Sequence, residues 1–429
     1  MATAAQTAKS EKQVIHFSTL GPGLITGASD DDPSGIATYS QIGAQFGYAM
    51  LWTMLFSYPF MAVIQEISAR IGRVTGFGIA GNVRRHFSVP VSYTLVALIL
   101  TANIFNLGAD VGAMGAACKL LAPGPLPLYV IAFGAFSLML QIFVPYTRYV
   151  SYLKWLTLVL FAYVATAFVA HVDWAQTIQG TLIPSFSSQT SFFTALIAVL
   201  GTTISPYLFF WQASQEVEEV KTNRLDHPLK RAPREAPSQL GRIRADTYIG
   251  MAFSNLIGLF IVMTTAATLH AHGIVKVETA AQAAKALEPL AGPFAFVLFA
   301  LGIVGTGLLA IPVLAGSAAY AVGETLKWRA SLEKRRDQAP KFYWTLTAAT
   351  AIGLSLNFMG IDPIRALFWA AVLNGVVAAP IMGILMLLAS NPRVMGKFTL
   401  SAPLKVIGWF ATIVMLLSSV GMFIAIKRG

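Results

Sequence analysis

Residues 30–32 are three consecutive aspartates, and they lie inside an apolar stretch that runs from about residue 17 to residue 58. Pro33 follows them directly. Because proline lacks a backbone donor and clashes with the preceding turn, a helix that crosses this segment must break. A carboxylate at the centre of a bilayer costs roughly 2.5–3.5 kcal/mol on insertion scales, so acidic residues held there indicate a function. Carboxylates beside the backbone carbonyls that a break leaves free can coordinate a cation.

The same residues also fit a simpler interpretation. An aspartate before a proline is typical of an ordinary helix start, in which Asp32 would be the N-cap and Pro33 the first helical residue, at a membrane surface. The motif alone does not separate this alternative from a cation site.

A second proline interruption lies further along the chain, where residues 201–207 read Gly-Thr-Thr-Ile-Ser-Pro-Tyr. A proline kink in a membrane helix is common and needs no function. However, the two interruptions lie five spans apart, in helices that would cross in opposite directions. Two interrupted helices at corresponding positions of inverted halves indicate a transporter with its binding site near the membrane midplane.

The composition places the chain among membrane proteins. Of its 429 residues, 56% are hydrophobic and 11% are charged, whereas soluble domains have about 25% charged residues. The net charge of +11 does not indicate a nucleic-acid partner, because membrane proteins concentrate Lys and Arg in cytoplasmic loops. The single cysteine, Cys118, excludes an intrachain disulfide. Without a phosphate-binding loop or a nucleophile elbow, we predict no enzymatic activity and no cofactor.

The apolar runs predict an all-α polytopic membrane protein, since only helices satisfy their own backbone in lipid and strand-like alternation is absent. Spans 1–5 (residues 18–171) and spans 6–10 (residues 192–389) would form the inverted repeat within one transmembrane domain, residues 18–426. The eleven expected spans are residues 18–43, 48–69, 91–117, 126–145, 150–171, 192–213, 246–270, 290–322, 344–359, 363–389 and 403–426.

The distribution of basic residues predicts the orientation. With the N-terminal tail, residues 1–17, placed inside, most of the 30 Lys and Arg residues fall in cytoplasmic segments. One of these segments, residues 214–245, is polar and basic and is expected to be a mobile loop. We therefore expect a multi-pass protein of the inner (plasma) membrane, a monomer whose partners are the lipid bilayer and its substrate.

Residues 20–23 (Leu-Gly-Pro-Gly), residues 32–35 (Asp-Pro-Ser-Gly) and residues 201–207 together resemble the Nramp family of divalent metal transporters. The resemblance covers essentially the whole chain and implies a LeuT-like fold. The family motifs read Asp-Pro-Gly-Asn in span one and Met-Pro-His in span six. This chain departs from them with Gly35 for the Asn, Ser205 for the Met and Tyr207 for the His.

These departures have chemical consequences. A thioether is a soft ligand that favours transition metals, whereas carboxylate, hydroxyl, carbonyl and water oxygens suit Mg²⁺ and Mn²⁺. Ser205 removes the soft ligand, and Gly35 leaves room for the waters that Mg²⁺ gives up reluctantly. The pattern is similar to the Nramp-related magnesium transporter branch, which implies Mg²⁺ or Mn²⁺ as the substrate.

The resemblance implies a ligand set at the two interruptions. Asp32 is the expected principal ligand, together with the backbone carbonyl or hydroxyl of Thr202. Asp31 and Ser205 are expected to lie beside the cation, directly or through water, and Gly35 lines the space.

Three further residues are expected along the path. Tyr207 would line it, although an aromatic residue on a helix more often serves packing. Asn374 in span ten would also line it, or would only form an interhelical contact worth about 0.6 kcal/mol. Asp110 in span three is either a structural polar contact or a remaining proton carrier.

The proton relay that the resemblance to proton-coupled Nramp transporters implies is mostly missing from this sequence. Asp110 is the one acidic residue between residues 101 and 110, residues 343–358 contain no Arg or Lys, and Tyr207 would not titrate near neutral pH. We therefore predict import of a divalent metal without tight proton coupling. The alternatives are a proton-coupled Mn²⁺/Fe²⁺ importer with the same fold and a LeuT-like carrier of a small organic solute. Three aspartates at the first interruption would repel a carboxylate-bearing solute.

Overall fold

The structure is a computed structural model that describes residues 22–145, 148, 152, 153, 155–222, 226–332 and 334–428. Every regular element in this part of the chain is a helix. The expected tail, residues 1–17, lies outside the described residues, as do Leu20 and Gly21 of the Leu-Gly-Pro-Gly motif.

We number the described α-helices in chain order. They are α1 (Pro22–Asp30), α2 (Pro33–Phe46), α3 (Trp52–Thr75), α4 (Ile79–His86), α5 (Val89–Leu121), α6 (Leu126–Phe143), α7 (Phe161–Val169), α8 (Trp174–Leu182), α9 (Thr190–Thr203), α10 (Pro206–Thr222), α11 (Ala236–Thr268), α12 (Ala280–Ala284), α13 (Glu288–Ala291), α14 (Ala295–Thr325), α15 (Pro340–Ser355), α16 (Pro363–Ser390), α17 (Pro392–Met395) and α18 (Ala402–Arg428). Short 3₁₀ turns, such as Gly47–Met50 and Leu156–Leu160, extend several of them.

Seven helical stretches in the described part of the chain are long and apolar enough to span a membrane. They cover predicted spans 3, 4, 6, 7, 8, 10 and 11. Predicted spans 1, 2, 5 and 9 also contain helices, but these are broken, short or more polar: α1–α2, α3, α7 and α15. The all-helical class is therefore confirmed, whereas the number of crossings stays a prediction.

Both predicted interruptions are real breaks in a helix. Between α1 and α2 the first break consists of residues 31 and 32, and between α9 and α10 the second break consists of residues 204 and 205. Each break is followed by a proline at the start of the next helix, Pro33 or Pro206. The missing proline donor costs nothing at a first helical position, so proline starts the second half-helix while ending the first.

The broken helices lie at the centre of the bundle. The half-helix α1 packs along α11, and α2 lies between α11 and α16. On the other side, α9 packs on α16, and α10 lies against α3 and α14. Both breaks are therefore enclosed by continuous helices instead of facing the surface.

Glycine allows the closest of these approaches. A Cβ atom on Gly27 of α1 would lie 2.4 Å from the carbonyl carbon of Gly250 in α11. A Cβ atom on Gly201 of α9 would lie 2.0 Å from the carbonyl oxygen of Ala371 in α16. Because such distances are far below van der Waals contact, only glycine lets these backbones meet.

The structure corrects the prediction of a polar loop over residues 214–245. Helix α10 continues to Thr222 and α11 begins at Ala236, so most of the segment is helical. Glu216 is fully buried because its carboxylate accepts from Arg242 at 2.7 Å. This pairing could not be predicted from the sequence, because Arg242 lies 26 residues further along the chain.

Basic residues from three parts of the chain meet on one face of the structure. The Arg73 guanidinium at the end of α3 pairs with Asp226 at 2.8 Å and with Glu219 at 3.5 Å. The Lys230 ammonium donates to the carbonyl oxygen of Val394 at 3.1 Å. The loops after α3, α10 and α16 therefore share one surface.

We expect Gly27→Ala to lower the free energy of unfolding by about 1–3 kcal/mol, because the added methyl group overpacks the contact between α1 and α11. Thermal unfolding of the detergent-solubilised protein would measure this change. Gly241→Ala in α11 is the matched control, since no atom lies within 4 Å of the added Cβ; it should stabilise the helix by up to about 1 kcal/mol. Equal melting temperatures for the two variants would contradict the close contact.

Candidate metal-binding site

The carboxylate of Asp32 is the centre of the candidate site. The residue is 1% exposed and caps α2 from the first break. Its Oδ1 accepts from the Ser34 hydroxyl at 2.6 Å and from the Gly35 amide at 2.8 Å. Its Oδ2 accepts from the Asn106 side-chain amide at 3.1 Å and from the Tyr207 hydroxyl at 3.1 Å. Asp32 is thus an N-cap whose side chain is buried in the protein interior.

The four donors come from three elements. Ser34 and Gly35 belong to α2 itself, Asn106 belongs to α5, and Tyr207 is the second residue of α10. A carboxylate offers about four lone-pair positions, so this set of donors saturates it. A buried carboxylate needs such donors, because an unpaired charge in an apolar interior is very costly.

Gly35 brings the first break against the half-helix before the second break. A Cβ atom on Gly35 would lie 3.3 Å from the Thr202 hydroxyl oxygen and 3.5 Å from the Asp30 carbonyl oxygen. A side chain at this position would be in tight contact with Thr202, so glycine lets the two half-helices approach closely beside Asp32. The structure brings Asp32, Gly35, Thr202 and Tyr207 together.

Ser205 lies in the second break and turns back onto α9. Its hydroxyl lies 2.9 Å from the carbonyl oxygens of both Gly201 and Thr202 and donates its one proton to one of them at a time. These are carbonyls that the end of a helix leaves without an amide partner. In this arrangement Ser205 caps α9.

The other two aspartates of the triplet face α11. The Ser254 hydroxyl lies 2.5 Å from Asp30 Oδ2 and 3.0 Å from Asp31 Oδ1. One hydroxyl carries one proton, so Ser254 donates to one carboxylate at a time. The triplet is therefore divided: Asp32 faces α5 and α10, whereas Asp30 and Asp31 are tied to α11.

Asp110 lies in the same buried region. It is fully buried in α5 and lies within electrostatic range of Asp32 and near the Ser34 backbone amide. Neither of its carboxylate oxygens has a hydrogen bond of normal geometry within the described residues. The positive end of the α2 dipole stabilises a negative charge placed at this position.

Asn374 lies one residue from the close contact between α9 and α16. It is buried, and its amide nitrogen and oxygen have no hydrogen-bond partner among the described residues. The neighbouring Gly375 packs against the Ile197 carbonyl, to which a Cβ atom would approach within 2.4 Å. Asn374 therefore does not form the interhelical hydrogen bond that was its alternative role.

Sequence reasoning missed the neutral donors around the triplet. Asn106 was given no role, yet it donates directly to Asp32. Ser254 and Asp246 on α11 were also overlooked, and Asp246 Oδ2 accepts from the Gly23 amide at 2.6 Å and holds the start of α1. Polar residues on an otherwise apolar helix were the available signal, because they are costly unless paired.

The site is not a preformed metal centre of the structural type. In the part of the chain that the structure describes, no three His, Cys, Asp or Glu side chains converge as a metal-binding set. Asp32 is instead surrounded by neutral hydroxyl and amide groups. Such surroundings suit a cation that binds transiently, with one carboxylate and several neutral oxygens.

The family model described as "Natural resistance-associated macrophage protein-like" (Nramp) matches residues 23–425. The chain belongs to the Nramp family. It is 26% identical over 402 residues to the "Divalent metal cation transporter MntH" of Klebsiella pneumoniae (strain 342), covering 92% of this chain and 91% of that protein. Nramp proteins are transporters, so the prediction that the chain is not an enzyme is confirmed.

Solved structures confirm the fold of this Nramp chain. The manganese transporter of Eremococcus coleocola in complex with an aromatic bis-isothiourea compound matches with a TM-score of 0.72 at 20% identity, covering 95% of this chain and 86% of that one. The inward-facing conformation of Mhp1 matches with a TM-score of 0.54 at 15% identity, covering 96% and 92%. The LeuT-like fold is therefore confirmed.

We expect Tyr207→Phe to destabilise the protein by about 1–3 kcal/mol, because Asp32 Oδ2 loses a donor that water cannot replace in the interior. Thermal or denaturant unfolding in detergent would measure the loss. The control is Tyr129→Phe, whose hydroxyl donates to the Ala122 carbonyl at an exposed position and whose loss should cost little. A Tyr207→Phe variant as stable as the Tyr129→Phe variant would show that the bond to Asp32 contributes nothing.

Proposed function

We propose that this Nramp chain imports hard divalent cations, Mg²⁺ and Mn²⁺, through the two broken helices, without tight proton coupling. The observation that carries the proposal is the buried carboxylate of Asp32 at the meeting point of both breaks. A charged group enclosed by neutral donors, inside a LeuT-like fold, is typical of a substrate-ion site.

The chemistry of the breaks supports a hard cation. The side chains that the breaks contribute are Asp31, Asp32, Ile204 and Ser205, and the hydroxyl of Thr202 lies next to Gly35. Carboxylate, hydroxyl and carbonyl oxygens suit Mg²⁺ and Mn²⁺. Asp32 would be the principal ligand, Thr202 would supply a carbonyl or hydroxyl oxygen, and Asp31 and Ser205 would act directly or through water.

The lack of an Asn side chain at Gly35 supports a partly hydrated ion. Mg²⁺ keeps several waters in most protein sites because it dehydrates reluctantly. Water would then take the ligand position that an Asn side chain at residue 35 would fill. Tyr207, Asn374 and Asp110 would then line the path of the ion.

A proton-coupled importer of Mn²⁺ is the second candidate. The names of the relatives support manganese as a cargo, which both candidates share, since one is a divalent metal cation transporter and the other a manganese transporter. The described helices supply few titratable groups for a relay: α5 contributes Asp110 beside the amides of Asn103 and Asn106, and α15 carries Lys341 at its first turn only. Import without tight proton coupling therefore fits the few titratable residues of these helices better.

For the orientation, we propose a cytoplasmic N-terminus, which places the shared basic surface inside the cell. The inside-negative potential would then favour entry of a cation by about 2.3 kcal/mol per charge per 100 mV. We also keep the plasma membrane as the location and the monomer as the functional unit.

The Asp32→Asn variant distinguishes the proposed role of Asp32 as a metal ligand from its role as a helix cap. Asn caps a helix about as well as Asp, so the fold should persist, whereas Mg²⁺ and Mn²⁺ binding should disappear with the lost charge. Isothermal titration of the purified protein with each ion would measure binding. The control is Asp173→Asn at the start of α8, where the side chain also caps a helix and accepts from the Gln176 amide. Wild-type uptake by the Asp32→Asn variant would reduce Asp32 to a structural cap.

Uptake in proteoliposomes tests which ions are transported and whether their transport is coupled to protons. We expect Mg²⁺ and Mn²⁺ to enter without acidifying the lumen, and an inside-negative potassium-diffusion potential to increase the initial rate, because charge moves with the ion alone. Fe²⁺ and Ca²⁺ should be measured beside them under the same potential. Proton influx in step with metal influx would support the second candidate instead.

A further inference from the structure

The shared basic surface contains a cavity that the metal site does not use. Its volume is about 500 Å³, and it lies between α4, the end of α10, the end of α14 and residues 327–331 and 334. None of the residues at the two breaks lines it. Cavities of this size hold small organic ligands in other proteins.

The lining of this cavity is strongly basic. Its described residues supply six cationic side chains and two carboxylates. The Glu324 carboxylate accepts from the backbone amides of Gly78 and Gly81 at 3.0 and 2.8 Å, and Glu218 accepts from Ser331 at 2.6 Å and pairs with Lys221. The other five cations form no ion pair with any carboxylate of the described residues: Arg84, Arg85, Lys327, Arg329 and Lys334.

The backbone of Lys327 gives independent evidence for a function here. Among the described residues it is the non-glycine residue with a positive φ, at 58°. It directly follows the last turn of α14, where the Trp328 amide donates to the Gly323 carbonyl at 2.7 Å. Glycine is the usual residue at such a helix end, because its backbone adopts this conformation without strain. A lysine kept in a strained conformation at a basic cavity indicates a role for its charge.

Aromatic rings give the cavity an apolar wall. Phe77 and Trp328 both line it. The Arg85 guanidinium lies 3.3 Å from the centroid of the Phe77 ring, and the Lys341 ammonium lies 5.0 Å from that of Trp328. Cations stacked on rings are held in place before a ligand binds.

We propose that this cavity binds a polyphosphate anion of the nucleoside triphosphate class, with Lys327 and Arg84 as principal phosphate partners. Arginine and lysine are the usual phosphate partners in proteins, and the rings would contact the nucleoside. The phosphorylated headgroup of an anionic lipid shares this chemistry. Because α4, α10 and α14 all contribute, the anion would hold these helices in their present arrangement. The proposal does not depend on the identity of the transported ion.

The test measures the thermal stability of the intact protein in detergent with EDTA present, so that no divalent metal takes part. We expect ATP and inorganic triphosphate to raise the melting temperature, adenosine to leave it unchanged, and 500 mM NaCl to weaken the effect. A water-soluble phosphoinositide, tested in parallel, distinguishes a lipid headgroup from a free polyphosphate as the source. No shift with any of the phosphorylated ligands would overturn the proposal.

Lys327→Gly gives a more specific test, because it should raise the stability of the free protein and lower its affinity for triphosphate. The variant should melt at a higher temperature without ligand, since the strain is removed, yet its Kd for triphosphate should rise about tenfold, since a charged hydrogen-bond donor is lost. Asn tolerates the same backbone conformation. The Lys327→Asn variant should therefore also bind triphosphate more weakly, without the chain flexibility that glycine adds. The control is Lys405→Gln, an exposed lysine outside the cavity. Equal triphosphate affinity in all three variants would show that Lys327 does not bind the anion.

Discussion

The structure depends on how a charged carboxylate is kept inside a membrane-embedded bundle. Asp32 sits where proline has interrupted a helix, and each of its oxygens accepts two hydrogen bonds. Two of the donors come from the helix that Asp32 caps, and two come from other helices, α5 and α10. An isolated carboxylate at this depth would be very costly. The arrangement of the three elements is therefore constrained by the need to satisfy one side chain.

Close backbone packing makes that arrangement possible. At glycine positions α1 packs closely on α11, and α9 packs closely on α16. Each break therefore lies next to a continuous helix. Polar contacts then fix the register along α11: Asp246 holds the first turn of α1, and Ser254 holds the aspartates at its end. Since α11 carries partners for both ends of α1, the half-helix is held to its neighbour at both ends.

How much the sequence predicted depends on the range of each interaction. Proline and aspartate gave the position of both breaks, because their effects on a helix are local. Motifs gave the family and the LeuT-like fold. The partners of Asp32 on α5 and α10 lie 74 and 175 residues away, and no local pattern marks which asparagine of α5 faces the break. The same limit explains the error at residues 214–245, where Glu216 pairs with Arg242, 26 residues further along the chain.

The saturation of Asp32 has a mechanical consequence for any cation that binds there. A cation that uses Oδ1 must displace donors that belong to α2 itself, whereas one that uses Oδ2 must displace Asn106 and Tyr207. The Tyr207 hydroxyl also lies 3.2 Å from the Ser29 carbonyl of α1, so moving it loosens α10 from both halves of span one. Ligation at Oδ2 therefore exchanges contacts between helices for contacts with the ion. A binding step that weakens the packing of the two broken helices can start the movement of one against the other, which is what transport through an inverted repeat requires.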